Sequence, residues 1–166
     1  AVRHLVSCGR TRIAIIAGDS EYSVTHERMR GALKALHDAG LQLAGEARFG
    51  PWEAEWGRAA ARLLLNDGAA FDAVICQNDV LARGCIEELE RNGCRVPQDV
   101  AVIGHDNSPD YVSYAHPLLT SIDDNNEMLG RQAALCLLDA IAGHPHHGVE
   151  RVPVKLIQRE STLPLD

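Results

Sequence analysis

Two short runs of amide and carboxylate side chains, Gln77-Asn78-Asp79 and His105-Asp106-Asn107, each follow an apolar stretch. Such groups donate and accept hydrogen bonds, and open α/β sheets bind small ligands just beyond their strand ends. The pair of runs therefore predicts half of a polar pocket. Asp106 can accept two ligand hydroxyls, each charge-assisted bond worth about 1.5–3 kcal/mol. Asn78 and Asp79 also stand where a helix begins, so either can be its N-cap. The cap is the favoured reading of Asp79, whereas Asn78, one step nearer the strand end, is better placed to reach a ligand. No helix starts at once after Asp106, so capping explains it less well.

Other residues carry weaker signals. Arg28, within His26-Glu27-Arg28-Met29-Arg30-Gly31, reads from periodicity as a solvated helical side chain, and its spacing from Glu27 is not an i,i+4 pair. Trp52 follows Gly50-Pro51 at a strand end, where an indole can stack on a sugar or a base or can fill the core. His144, His146 and His147 crowd a turn without a cysteine or acidic pair beside them, so no metal is expected there. His105 next to Asp106 is not a catalytic set, and the chain has no G-x-S-x-G, P-loop or G-x-G-x-x-G motif. The residues supply no enzyme mechanism and call for no cofactor.

The elements that must hold these residues alternate. A helix over residues 1–7 is closed by Gly9, and Arg12–Ala17 is a continuous apolar strand of the kind buried on both faces. Val24–Ala39 carries Met29, Ala32, Leu33, Leu36 and Ala39 at helical spacing before Gly40. A short strand over 43–49 leads to a helix over 53–66 with Ala59, Ala60, Leu63 and Leu64 inward. Strand 72–77, helix 80–92 with its stop at Gly93, and strand 100–104 follow; 107–119 reads as a loop with at most one helical turn. Strand 120–123, helix 126–142 and a Pro153-interrupted edge strand over 152–158 complete the chain. This order predicts an α/β fold with a mostly parallel, doubly wound sheet.

With 166 residues, 46% hydrophobic and 23% charged, one well-buried domain is expected. A net charge of −7 without a basic run gives no footprint for nucleic acid or anionic membrane, so any contact with DNA must come from another segment. Five cysteines with no paired metal-type spacing suit a reducing cytoplasm, and no stretch is apolar enough to span a membrane. The chain opens within a helix without Met, as a fragment would.

Taken together, the chain resembles the effector-binding core of the lactose-repressor and galactose-repressor (LacI/GalR) family of bacterial transcriptional regulators. The likeness runs through Ala1-Val2-Arg3-His4-Leu5, Arg12-Ile13-Ala14, Gln77-Asn78-Asp79-Val80-Leu81-Ala82-Arg83-Gly84, Val96-Pro97-Gln98-Asp99-Val100 and Val102-Ile103-Gly104-His105-Asp106-Asn107. It continues through Pro117-Leu118-Leu119-Thr120-Ser121-Ile122, Gly130-Arg131-Gln132-Ala133 and Leu156-Ile157-Gln158-Arg159-Glu160-Ser161-Thr162. Such cores are of type I periplasmic-binding-protein-like architecture, with a small molecule held between two α/β subdomains. The resemblance covers only the C-terminal subdomain (1–123), a crossover helix (124–150) that packs on the other subdomain, and a returning strand and tail (151–166).

The resemblance implies that Arg28, Asn78 and Asp106 contact polar groups of the effector, that Trp52 stacks on it, and that Asp124 reaches it from the crossover. His105 joins this set, although it stands where the family usually has Phe or Tyr. Asn107 stands where a second Asp is common, and both departures bear on which effector is taken. A carbohydrate effector is implied, with a purine or an amino-acid-like molecule as the alternatives, and a homodimer formed through helix 79–92 and the loop near Tyr111–Tyr114. Operator DNA is read only by a helix-turn-helix head outside this chain, and no membrane is involved. A solute-binding protein of a transport system, built on the same architecture, is the alternative. The apolar stripe of helix 126–142 is expected to be exposed or covered by another copy of the chain.

Overall fold

A computed structural model describes residues 1–68 and 70–162. Its elements in chain order are α1 (Val2–Ser7), β1 (Ile13–Ala17), α2 (Ser23–Asp38), β2 (Arg48–Phe49), α3 (Ala54–Asn66), β3 (Ala73–Cys76) and α4 (Asp79–Arg91). They continue with β4 (Ala101–His105), α5 (Pro109–Val112), β5 (Thr120–Asp123), α6 (Asn126–Ile141), β6 (Lys155–Ile157) and a 3-10 turn at Glu160–Thr162. The six strands form one sheet in the order β2-β1-β3-β4-β5-β6. All neighbours are parallel except β6, which runs antiparallel to β5 at the edge. The expected α/β doubly wound sheet is therefore present, and Pro153 falls just outside the edge strand, where its missing N–H does no harm.

Every residue of β1 and β3 is buried, because helices cover both faces. Alternate side chains divide between two cores. Ala14, Ile16, Val74, Cys76 and Val102 pack with α3 and α4, whereas Ile13, Ile15, Ala73, Ile75, Ala101 and Ile103 pack with α1 and α2. Helices α3 and α4 approach closely at two glycines: a Cβ on Gly57 would overlap the Leu81 carbonyl, and one on Gly84 would overlap the Ala54 carbonyl. This contact turns Gly57, Ala60, Ala61 and Leu64 inward. Leu63, expected on the inner face, is 41% exposed for the same reason, and Leu33 of α2 is likewise on the outside. The strand expected over 43–49 shrinks to two residues, since only Arg48 and Phe49 pair with β1.

Helix α6 contrasts with the rest. None of its residues is buried, and Leu137, Leu138 and Ile141 are 62–75% exposed. The exposed stripe expected from the sequence is thus observed. Among the described residues no helix is long and apolar enough to cross a membrane.

Candidate functional site

The strand order reverses between β1 and β3, and at such a switch point the loops beyond the strand ends part to leave a crevice. There β1 ends in Gly18, β3 in Gln77-Asn78, β4 in His105-Asp106 and β5 in Asp123-Asp124. Arg28 of α2 reaches across this edge. Its guanidinium donates to the Gln77 carbonyl and lies 3.3 Å from Asp106 Oδ1 and 3.5 Å from Asp124 Oδ2. His105 Nε2 is 2.7 Å from Asp124 Oδ1. Four of the residues singled out in the sequence, Arg28, His105, Asp106 and Asp124, therefore form one network across three strand ends and a helix.

Electrostatics in the network follow from partial burial and the single guanidinium. Burial pushes the Asp106 carboxyl up, while Arg28 and His105 pull it back down. Burial also lowers His105, and Arg28 adds to that against the opposing pull of Asp124. His105, Asp106 and Asp124 each present an atom within 4.8 Å of the others, a spacing that could suit a metal ion. The Arg28 guanidinium provides a positive charge beside two of the three. Among the described residues His144, His146 and His147 form no comparable group.

The other two expected contacts flank the network. Trp52 stands over Gly18 so closely that a Cβ there would overlap its indole, and its ring meets Tyr22 edge to face at 6.5 Å between centroids. The indole is half-exposed at the end of β1 and packs in part against the core shared with α3 and α4. Trp56 donates from Nε1 to the Ala17 carbonyl at 3.1 Å. Asn78 is buried, and its Oδ1 accepts from Leu81 N at 2.7 Å.

That bond corrects the expected cap. Asn78, not Asp79, caps α4, because Asn78 holds the extended backbone an N-cap needs while Asp79 is already helical. One lone pair of the Asn78 oxygen is thereby committed, which leaves its second lone pair and the amide N–H groups for other partners. Asp79 turns inward instead, accepting from Ser108 N at 2.8 Å and Ser121 Oγ at 2.6 Å. Burial pushes its carboxyl up from the usual range to about 6, against the two hydrogen bonds.

Sequence reasoning also passed over Gln77 as a positioning residue. Its side chain is buried, takes a hydrogen bond from Gly18 N and gives one to the Thr25 carbonyl, so it ties the β1 end and α2 to the β3 end. A polar residue predicted at the last position of a doubly buried strand is the signal that could have found it. An apolar groove of about 290 Å³ runs from Arg28 and His105 past Gln77 and Ile75 to Ala32 and Val2.

Comparison with known proteins shows the family. A model of the periplasmic binding protein-like domain matches residues 2–162. The chain belongs to that family. As a periplasmic-binding-protein-like domain it is 36% identical over 168 residues to the HTH-type transcriptional repressor CytR of Escherichia coli (strain K12), covering 99% of this chain and 49% of the relative. It is 35% identical to the HTH-type transcriptional regulator CelR of Thermobifida fusca, covering 97% and 48%. The domain superposes on the lac repressor dimer bound to operator and the anti-inducer ONPF with a TM-score of 0.91 at 32% identity, covering 98% of this chain and 48% of that one. On the CelR–cellobiose complex the TM-score is 0.85 at 34% identity, with 97% and 50% covered. The resemblance to repressor effector cores is borne out, and the chain spans about half the length of the curated relatives it matches.

Proposed function

We propose that this chain is the C-terminal part of the effector-sensing core of a cytoplasmic LacI-type transcriptional regulator, and that it binds a sugar or sugar derivative. The observation that carries the reading is the Arg28 network across the ends of β3, β4 and β5. It offers a guanidinium, two carboxylates and an imidazole to a polyhydroxylated ligand, with the Trp52 face on one flank. Arg28 is shared between two carboxylates and His105 is held toward its neutral form, so these groups carry a net negative charge. That balance favours a neutral, hydroxyl-rich ligand over a phosphorylated one. Its relatives CytR and CelR are transcriptional regulators, and the CelR structure is a complex with cellobiose, which supports regulation over the solute-transport alternative.

On this reading α6 crosses to a second subdomain, and the divisions at 123 and 150 mark the crossing; its wholly exposed apolar stripe supports this. A homodimer forms through the exposed side of α4 and the loop bearing Tyr114, which is 80% exposed. Operator DNA is contacted by a head outside this acidic chain. Effector acts by binding the DNA-bound and released states unequally.

A thermal-shift screen of the full-length protein against cellobiose, galactose, glucose 6-phosphate and cytidine tests the reading. A ligand at about 100 times its dissociation constant adds about 2.7 kcal/mol of stability. A stabilisation by a neutral sugar that disappears in Asp106→Ala is expected; a stabilisation indifferent to Asp106→Ala refutes the site.

A further inference from the structure

The chain changes direction after β4 through two successive non-glycine residues in the left-handed region, Asp106 (φ 98°) and Asn107 (φ 52°). Side chains other than glycine persist there only when their surroundings hold them. Three consecutive amides of this turn are held from outside it. Asp106 N donates to the Ile122 carbonyl at 2.9 Å, Asn107 N to Ser121 Oγ at 3.0 Å and Ser108 N to Asp79 Oδ2 at 2.8 Å. Ser121 Oγ in turn donates to Asp79 Oδ1 at 2.6 Å. A Cβ on Gly104 would overlap that same Oδ1, so the glycine is what lets the carboxylate sit against β4.

We propose that Asp79, Ser121 and Gly104 form a clamp that positions Asp106: the buried Asp79 carboxylate and the Ser121 hydroxyl fix the left-handed turn and so aim Asp106 at Arg28. Asp79 touches no effector in this scheme and is a positioning residue. Its being 1% exposed leaves it no route to a ligand in the crevice, and its two partners lie on the turn and on β5. A cap of α4 is not its task, since Asn78 supplies that bond. The link to binding rests on the effector reading above; the link to the turn does not.

The test is amide hydrogen exchange of the full-length protein without ligand, followed by titration with cellobiose as the probe. In Asp79→Ala and in Ser121→Ala, the segment 106–109 is expected to exchange at least tenfold faster while β1 and β3 keep their rates. Ser121→Thr, which retains the hydroxyl, is expected to restore protection, a recovery that simple loss of packing would not show. Gly104→Ala displaces the carboxylate without altering it and is expected to reproduce the Asp79→Ala pattern. Unchanged exchange in 106–109 in both alanine variants of the clamp overturns the proposal. Where cellobiose binds the parent and Asp106→Ala abolishes that binding, Asp79→Ala is expected to weaken it about tenfold, and unaltered affinity there also overturns it. Binding that survives Asp106→Ala refutes the effector reading alone, with the exchange result still deciding the clamp.

Discussion

Replacing Asp79 by Asn removes a titrating group while keeping shape and one acceptor oxygen, so its effect on stability separates into a constant part and a pH-dependent part. The folded protein raises this carboxyl from 3.8 to about 6, chiefly by burial. A shift of that size corresponds to about 3 kcal/mol at 1.36 kcal/mol per unit. The sign follows from linkage. Because the folded pKa lies above the unfolded one, the contribution of Asp79 is fully present below pH 3.8 and is lost as pH rises through about 6. Relative to Asp79→Asn, the parent should therefore lose about 3 kcal/mol between about pH 3 and pH 7, with little further change above. Two neighbours titrate as well: raised Asp106 acts in the same direction, and lowered His105 in the opposite one. His105 is present in both and drops out of the difference, whereas Asp106, whose charge helps to raise Asp79, remains in it through that coupling. Urea unfolding of the two proteins, followed by circular dichroism at half-unit intervals of pH, gives that difference directly. Parallel stability curves for parent and variant would refute the claim that a buried, ionising carboxylate sits at this position.

The other predictions address packing. Gly84→Ala forces a methyl into the Ala54 carbonyl where α3 and α4 touch. Overpacking of this kind should cost about 1–3 kcal/mol, read as a lower urea midpoint, with no comparable loss in Gly31→Ala, where a Cβ meets nothing. Gly18→Ala drives the Trp52 indole from its seat, so near-ultraviolet circular dichroism should change and any sugar affinity should fall, while the far-ultraviolet spectrum stays constant. Leu138→Glu with Ile141→Glu should leave the stability of this chain within about 0.5 kcal/mol, since both side chains are exposed here. In the full-length protein the same pair should cost 2 kcal/mol or more each, roughly the loss of a buried aliphatic side chain, if α6 packs on a second subdomain. Equal effects in the two contexts would refute that packing.

How much of this was legible depended on how local the deciding contact is. The strand Ile13–Ala17 could be read outright, because a strand buried on both faces is a continuous apolar run. The boundaries of α2 and α4 were also local, set by Gly40 and Gly93 in the left-handed conformation just past their ends. Arg28 was not legible from periodicity, since its partners Gln77 and Asp106 lie 49 and 78 residues away. Nor was the choice between Asn78 and Asp79, two residues equally able to cap, because Ser108 and Ser121, far along the chain, claim the second. Family resemblance supplied candidate positions that periodicity withheld, and it also drew attention to Asn107.

There the absence of the commoner Asp looked like a clue to the effector. The side chain is instead committed within the protein: Nδ2 donates to Asp123 Oδ2 at 3.2 Å, and Oδ1 accepts from Arg159 at 2.7 Å. An aspartate could keep the second bond but not the first, and it would set two carboxylates against each other with no proton between them. The amide at 107 is therefore matched to Asp123 and belongs to the scaffold of the turn. Of the two departures from the family pattern, only His105 contacts the Arg28 network, through Asp124. A difference in effector should accordingly be sought at His105, and His105→Tyr should alter ligand preference where Asn107→Asp alters only the stability of the turn. A screen in which Asn107→Asp changes which sugar binds, with exchange of 106–109 unaltered, would reverse that assignment.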